Sequence, residues 1–280
     1  MSTTIRWTPC AAALLCALLV AGNRDGGSRA PRSPSARQTS WQAAPLDAPA
    51  VVDATAERTQ RQRAWAIPYN GRFTFTRLMY GGGGFGRRGG GSWSHDYPNA
   101  DLNIPEILEF MTSINVTTGA SNVFTLDDPR LFQYPMLYVS EPGFWTITDS
   151  EAANLRDYVL KGGFLVFDDF EGNQLRNMVA QVERALPGFE LIEIGPDHEI
   201  FDSFFLIENI YIPHPLVAVT PVYYGIFEDN DPSKRMLAIV NHNNDLAEYW
   251  EFAHTGYFPV DITNEAYKLG VNYIVYAMTH

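Results

Sequence analysis

The 280-residue sequence predicts an α/β fold, a three-layer sandwich with helices covering both faces of a mainly parallel sheet. Three observations predict it. Apolar runs such as Phe164–Phe167 are continuous rather than alternating, as in strands buried on both faces. Segments with helical spacing alternate with those runs. Within ten residues, Leu160–Asp169, a helix tail meets a Gly-Gly turn, then a strand, then two carboxylates. Acids at a strand's carboxyl end point to where ligands gather in open α/β sheets.

Residues 1–22 read as an export signal: Arg6 supplies the positive start, Cys10–Val20 the apolar run, and Ala21-Gly22 a cleavage site. The run is shorter than the roughly 20 residues of a spanning helix, so membrane attachment would come only through an uncleaved signal. Cys16 follows Leu14 and Leu15, not the small residues of a lipoprotein signal. Residues 23–66, rich in Ala, Pro, Ser, Arg and Gln, read as a disordered linker. Residues 67–280 then form one α/β domain, large enough for a substantial core. Both cysteines, Cys10 and Cys16, lie in the signal, so the domain has no disulfide and no thiol nucleophile. Of 20 basic and 32 acidic residues, 8 and 4 precede Ile67, leaving 12 and 28 in the domain. That balance argues against nucleic acid or anionic lipid as a partner.

Arg72–Tyr80 alternates Phe73, Phe75, Arg77 and Met79 against Thr74, Thr76, Leu78 and Tyr80, the period of a strand. A loop with eight glycines, Gly81–Trp93, follows. Pro105-Glu106 suits a helix's first turn, with Ile107, Leu108, Phe110 and Met111 as its apolar stripe. Tyr134–Val139 is a strand. Thr148 and Glu151 form a capping box for a helix that buries Ala152, Leu155, Tyr158 and Val159 and stops at Gly162-Gly163. Further elements are a helix over 172–186, strands at Phe189–Ile194, Tyr223–Phe227 and Met236–Val240, and a last helix capped by Thr263.

Several segments together, Arg77–Tyr80, Trp93–Tyr97, Ala100–Asn103, Tyr134–Tyr138, Gly162–Asp169, Asp197-His198 and Gly270–Asn272, resemble a bacterial family known as domain of unknown function 4159, over about residues 72–280. That family is similar in turn to the class I glutamine amidotransferase-like (flavodoxin-like) fold. The resemblance implies that fold and a cell-envelope, periplasmic location. Amidotransferases carry a catalytic Cys on the strand-to-helix turn; here the turn holds Asp168, Asp169, Phe170 and Glu171, so amidotransferase chemistry is not expected.

Asp168 and Asp169, being neighbours, should face opposite ways, at most one into the crevice and the other capping the helix that follows; the alternative is capping or turn chemistry for both. Candidate catalytic groups are Asp169 as general base, His198 as proton shuttle or ligand, and Asp168. Candidate ligand contacts are His95, Asp96, Arg77, Trp145 and Asn241; the last opens the polar stretch Asn241–Asp245 after a strand. Trp93, Trp145 and Trp250 read either as sugar-stacking rings or as core. Arg77 shares a face with Phe73 and Phe75, so burial would demand a carboxylate, Asp168 or Asp96. No cofactor or metal is expected, since no ligand spacing such as His-Glu-x-x-His occurs. Gly81-x-Gly83-x-x-Gly86 mimics a dinucleotide motif but opens no helix, so no nucleotide is expected. The glycine loop reads instead as an insertion or as a flap with Arg87 and Arg88 as anion contacts. The functional expectation is a non-catalytic binding or assembly module of the envelope, with a protein or glycan partner. The alternative is a hydrolase acting on carbohydrate or amide through strand-end carboxylates and His, with or without a metal ion.

Overall fold

A computed structural model describes residues 66–81 and 92–280. The expected signal, the linker up to residue 65 and the flap with Arg87 and Arg88 lie outside them. Seven strands form one sheet among the described residues: β1 (Thr76–Leu78), β2 (Asn122–Phe124), β3 (Met136–Ser140), β4 (Phe164–Asp168), β5 (Ile192–Glu193), β6 (Val222–Phe227) and β7 (Met236–His242). Five α-helices accompany them: α1 (Asn99–Met111), α2 (Asp149–Leu160), α3 (Gln174–Ala185), α4 (Leu246–Glu251) and α5 (Val260–Thr279).

The strand order is β2-β1-β3-β4-β7-β6-β5. Pairing is parallel from β2 through β7, whereas β6 runs antiparallel to both β7 and β5. Alternate residues of the central strands serve opposite cores, as the two-residue period of a pleated strand requires. Met136, Tyr138, Phe164 and Val166 pack with α1, α4 and α5; Leu137, Val139, Leu165 and Phe167 pack with α2 and α3. The chain leaves β1 towards β2 on one side, then crosses back to β3 on the other. That reversal places a topological switch at the carboxyl ends of β1 and β3.

Helix α2 starts as expected: Thr148 Oγ1 accepts from the Glu151 amide and Glu151 reaches back to the Thr148 amide. Its end needs both glycines for different reasons. Gly162 sits at φ 111°, and a Cβ on Gly163 would lie 2.4 Å from the Tyr158 ring, whose hydroxyl is bonded to the Tyr134 carbonyl. Other expectations change. Helix α1 begins at Asn99 rather than Pro105, because its first turn, with only Ala100 and Leu102 among polar residues, shows no apolar stripe. Helix α5 begins at Val260 after Pro259, leaving Thr263 inside the helix, where its hydroxyl bonds the Pro259 carbonyl. The long first strand shortens to three residues, with Phe73 held in a single bridge to Val116.

Candidate functional site: an acid centre at the carboxyl edge of the sheet

Arg77 founds the site. Its side chain is fully buried, and its Nε donates to Asp101 Oδ1 (2.9 Å) and Oδ2 (3.1 Å) on α1. Its Nη1 donates to the carbonyls of Trp93 (3.1 Å) and His95 (2.9 Å). One guanidinium thus ties β1, α1 and the segment carrying His95 and Asp96, using the planar fork that lysine lacks.

Three neighbouring turns aim carboxylates at this place. Asp96 (φ 60°), Glu141 (φ 44°) and Asp169 (φ 62°) are all non-glycine residues with left-handed backbone. Each such residue costs about 1–2 kcal/mol relative to ordinary backbone, so three together mark a place where geometry takes precedence over stability. Glu141 follows β3, and Asp169 follows β4. Tyr80, just past β1, donates to the carbonyls of Ser140 and Glu141, both at 2.8 Å, and so fixes the β3 turn. Beyond β7, Asp245 caps α4 by accepting from the Glu248 amide (3.0 Å), which brings both acids to the same end of a six-residue helix.

The result is a centre of charged groups in mutual reach. His95 Nδ1 lies 2.9 Å from Asp169 Oδ2 and 3.2 Å from Asp96 Oδ1. Ser140 Oγ donates to the same Asp169 oxygen (3.1 Å). Potential ligand atoms of His95, Asp96, Asp245 and Glu248 all lie within 4.8 Å of one another, and so do those of His95, Glu141 and Asp169. Asp96, Asp169, Asp245 and Glu248 are buried, whereas the His95 side chain is 41% exposed and forms the open side.

Burial and mutual repulsion push Asp169, Asp245 and Glu248 upward. Burial pushes Asp169 well above the usual carboxylate range; His95 opposes that, and the charge on Asp96 adds to it. Burial also lifts Asp245, helped by Asp169 and Asp96. Glu248 rises from 4.5 to about 7 through burial and the nearby charge on Asp96. His95 moves up as well, to about 12, because the carboxylates of Asp169, first, and of Asp96 stand beside its Nδ1.

These shifts share one sign in the linkage. Raised carboxyl groups bind protons in the folded state that the unfolded chain has released, so each stabilises the fold at low pH and loses that contribution as pH climbs through its folded value. Glu248 places its window between about 4.5 and about 7. Protonated His95 adds a contribution present below 6.5 and lost as pH rises towards about 12. Thermal melts in EDTA should therefore give a higher Tm at pH 5 than at pH 8. Glu248→Gln should flatten the profile between those values.

A family model described as Domain of unknown function (DUF4159) matches residues 74–278. The chain belongs to this family. The DUF4159 match spans the whole acid centre, from the Arg77 anchor to Glu248. No curated protein matches the chain.

Within the DUF4159 domain the expected residues separate clearly. Asp169, His95 and Asp96 meet in the centre. Asp168 lies beside it but is occupied: it accepts from Tyr138 Oη (2.7 Å), Asn241 Nδ2 (3.0 Å) and the amides of Leu246 (2.9 Å) and Ala247 (3.2 Å). Asp168 therefore caps α4, 78 residues further along the chain, and not the helix expected for it, the one that follows directly, α3. Asn241 is equally committed, taking a bond from Tyr273 Oη (2.9 Å) while giving one to Asp168. Arg77 is buried as expected, but its carboxylate is Asp101 rather than Asp168 or Asp96, because α1 starts early enough to face β1.

His198 does not reach the centre. Its ring packs on Phe227, which pairs with Met236 at the far end of β7 from His242. Its Nδ1 accepts from the Ile200 amide and so caps a short 3-10 turn. Trp145 is no stacking platform: it is fully buried between Tyr80 and Phe167, and Trp93 and Trp250 are also core. Glu141 and Glu248 complete the centre without having been anticipated. The signal for Glu141 resembles that of Asp169, an acid directly after an apolar strand. For Glu248 the signal is the Asp245-x-x-Glu248 spacing of a capped helix.

Proposed function

We propose that this domain is a non-catalytic binding module of the cell envelope, exported by its amino-terminal segment, that holds a positively charged group in the acid centre. The reading rests above all on three left-handed, non-glycine acids, Asp96, Glu141 and Asp169, turned towards one place. The strand order, which begins 2-1-3-4 with ligand groups at the switch, supports the finer assignment to a flavodoxin-like, amidotransferase-like framework. One observation favours a hydrolase instead: the His95–Asp169 pair with an accessible imidazole. A general base must shed its proton near working pH, and the carboxylates beside Nδ1 hold that proton up to about pH 12. Binding is the better use of this geometry.

The test is a thermal melt of the purified full chain with spermidine, at low and high salt. A rise in Tm is expected for the wild type, screened by salt and absent in Asp169→Asn. An equal response in both proteins would refute the reading. Fractionation of cells, with amino-terminal sequencing of the mature chain, tests export; recovery of the uncleaved protein in the cytoplasm would refute that part.

A further inference from the structure

We propose that Asp96, Asp245 and Glu248 form a binding site for a hard, oxygen-preferring divalent cation. This rests on the reading of the acid centre as a site for positive charge and names the ligand. The observation that carries it is Asp96. Its side chain is enclosed, with 0% exposure, and neither Oδ atom accepts a hydrogen bond from the groups around it among the described residues. Buried carboxylates in folded proteins are paired or bound to metal, since an unsatisfied buried acceptor forfeits its full solvation. The nearest cationic donor, His95 Nδ1, stands 3.2 Å from Asp96 and closer, at 2.9 Å, to Asp169. Beyond His95, its neighbours in the centre are two further carboxylates, Asp245 and Glu248. Where these carboxylates are ionised they repel one another, and a positive ion between them relieves that repulsion.

The donors suit that ion. Asp245 spends Oδ1 on the Glu248 amide. Asp245 and Glu248 stand on one turn of α4, and Asp96 faces them from the segment pinned by Arg77. The ligand atoms of these residues lie within 4.8 Å of one another, a span that an ion with oxygen ligands at about 2.0–2.6 Å bridges. Three carboxylate oxygens select Mg²⁺, Mn²⁺ or Ca²⁺ over thiolate-seeking metals, and water fills the remaining positions. The left-handed backbone at Asp96 is what turns its carboxylate inward.

The experiment is calorimetric titration of the metal-free full chain with MnCl₂, with MgCl₂ and CaCl₂ in parallel, and melts of the same samples. Wild type should bind one Mn²⁺ and melt higher with it. Asp96→Asn should remain folded, melt higher than wild type in EDTA because one repelling charge is gone, and lose more than about 100-fold in Mn²⁺ affinity. Glu109→Gln, an exposed acid outside the centre, should bind as wild type does. Two results would overturn the site: no heat and no melt shift with any of the three ions at millimolar concentration, or equal Mn²⁺ binding by Asp96→Asn and wild type. A lower melt for Asp96→Asn in EDTA would assign Asp96 to structure and also count against the site. If the ions fail while spermidine still gives its Asp169-dependent shift, the binding module stands and only the metal assignment falls.

Discussion

Asp101→Ala is expected to lose about 3–5 kcal/mol of folding free energy, read as a lower urea midpoint with an unchanged slope. The physical reason is the isolation of Arg77. With Asp101 gone, a guanidinium with no solvent exposure keeps only the carbonyls of Trp93 and His95 and the face of the Tyr138 ring. Desolvated charge without its counter-ion is among the costliest defects a core can carry. The double variant Arg77→Met/Asp101→Leu separates charge from packing. An apolar pair of similar volume should recover most of the lost stability, since buried ion pairs add little over hydrophobic replacements. It should not recover Mn²⁺ binding, because no donor then fixes the carbonyls that set the course of residues 93–96. A double variant that folds and binds the ion normally would show that Arg77 plays no part in shaping the site.

Asp168→Ala is the second large effect. Four donors converge on this carboxylate, two from side chains and two from the first amides of α4. Leaving buried donors without an acceptor costs about 1–3 kcal/mol each, and partial rearrangement keeps the total below their sum. A loss of more than about 4 kcal/mol is expected, with hydrogen exchange at Leu246 and Ala247 accelerated beyond the global rate. Asp169→Asn, one residue later, removes a charge from a crowded centre and should leave the fold intact. The contrast between adjacent aspartates is the informative part: equal destabilisation by the two substitutions would contradict their assigned roles.

Much of this architecture was legible in the sequence where local chemistry decides the outcome. The Thr148–Glu151 box, the Gly162-Gly163 stop and the apolar strands before Ser140 and Asp168 needed only neighbours in the chain. Elements set by distant partners were not legible. Helix α4 has six residues, too few to show a period, and two of its amides are satisfied by Asp168, 78 and 79 positions earlier. Strand β2 has three residues and exists because β1 offers an edge. The site divides in the same way. The Asp168-Asp169 terminus announced the location, and His95-Asp96 was placed with it. Glu141 and Glu248 enter through turn conformation and register, and His198 leaves because the chain after β5 returns over the sheet to Phe227.

Arg77 holds the segment before Asp96 by peptide oxygens, not by what residues 93 and 95 carry beyond their α-carbons. Support of that kind is indifferent to sequence. The rim of the centre is therefore free to diversify: exchange of the imidazole at position 95 for another group would alter what the mouth recognises while the frame beneath it stayed where it is.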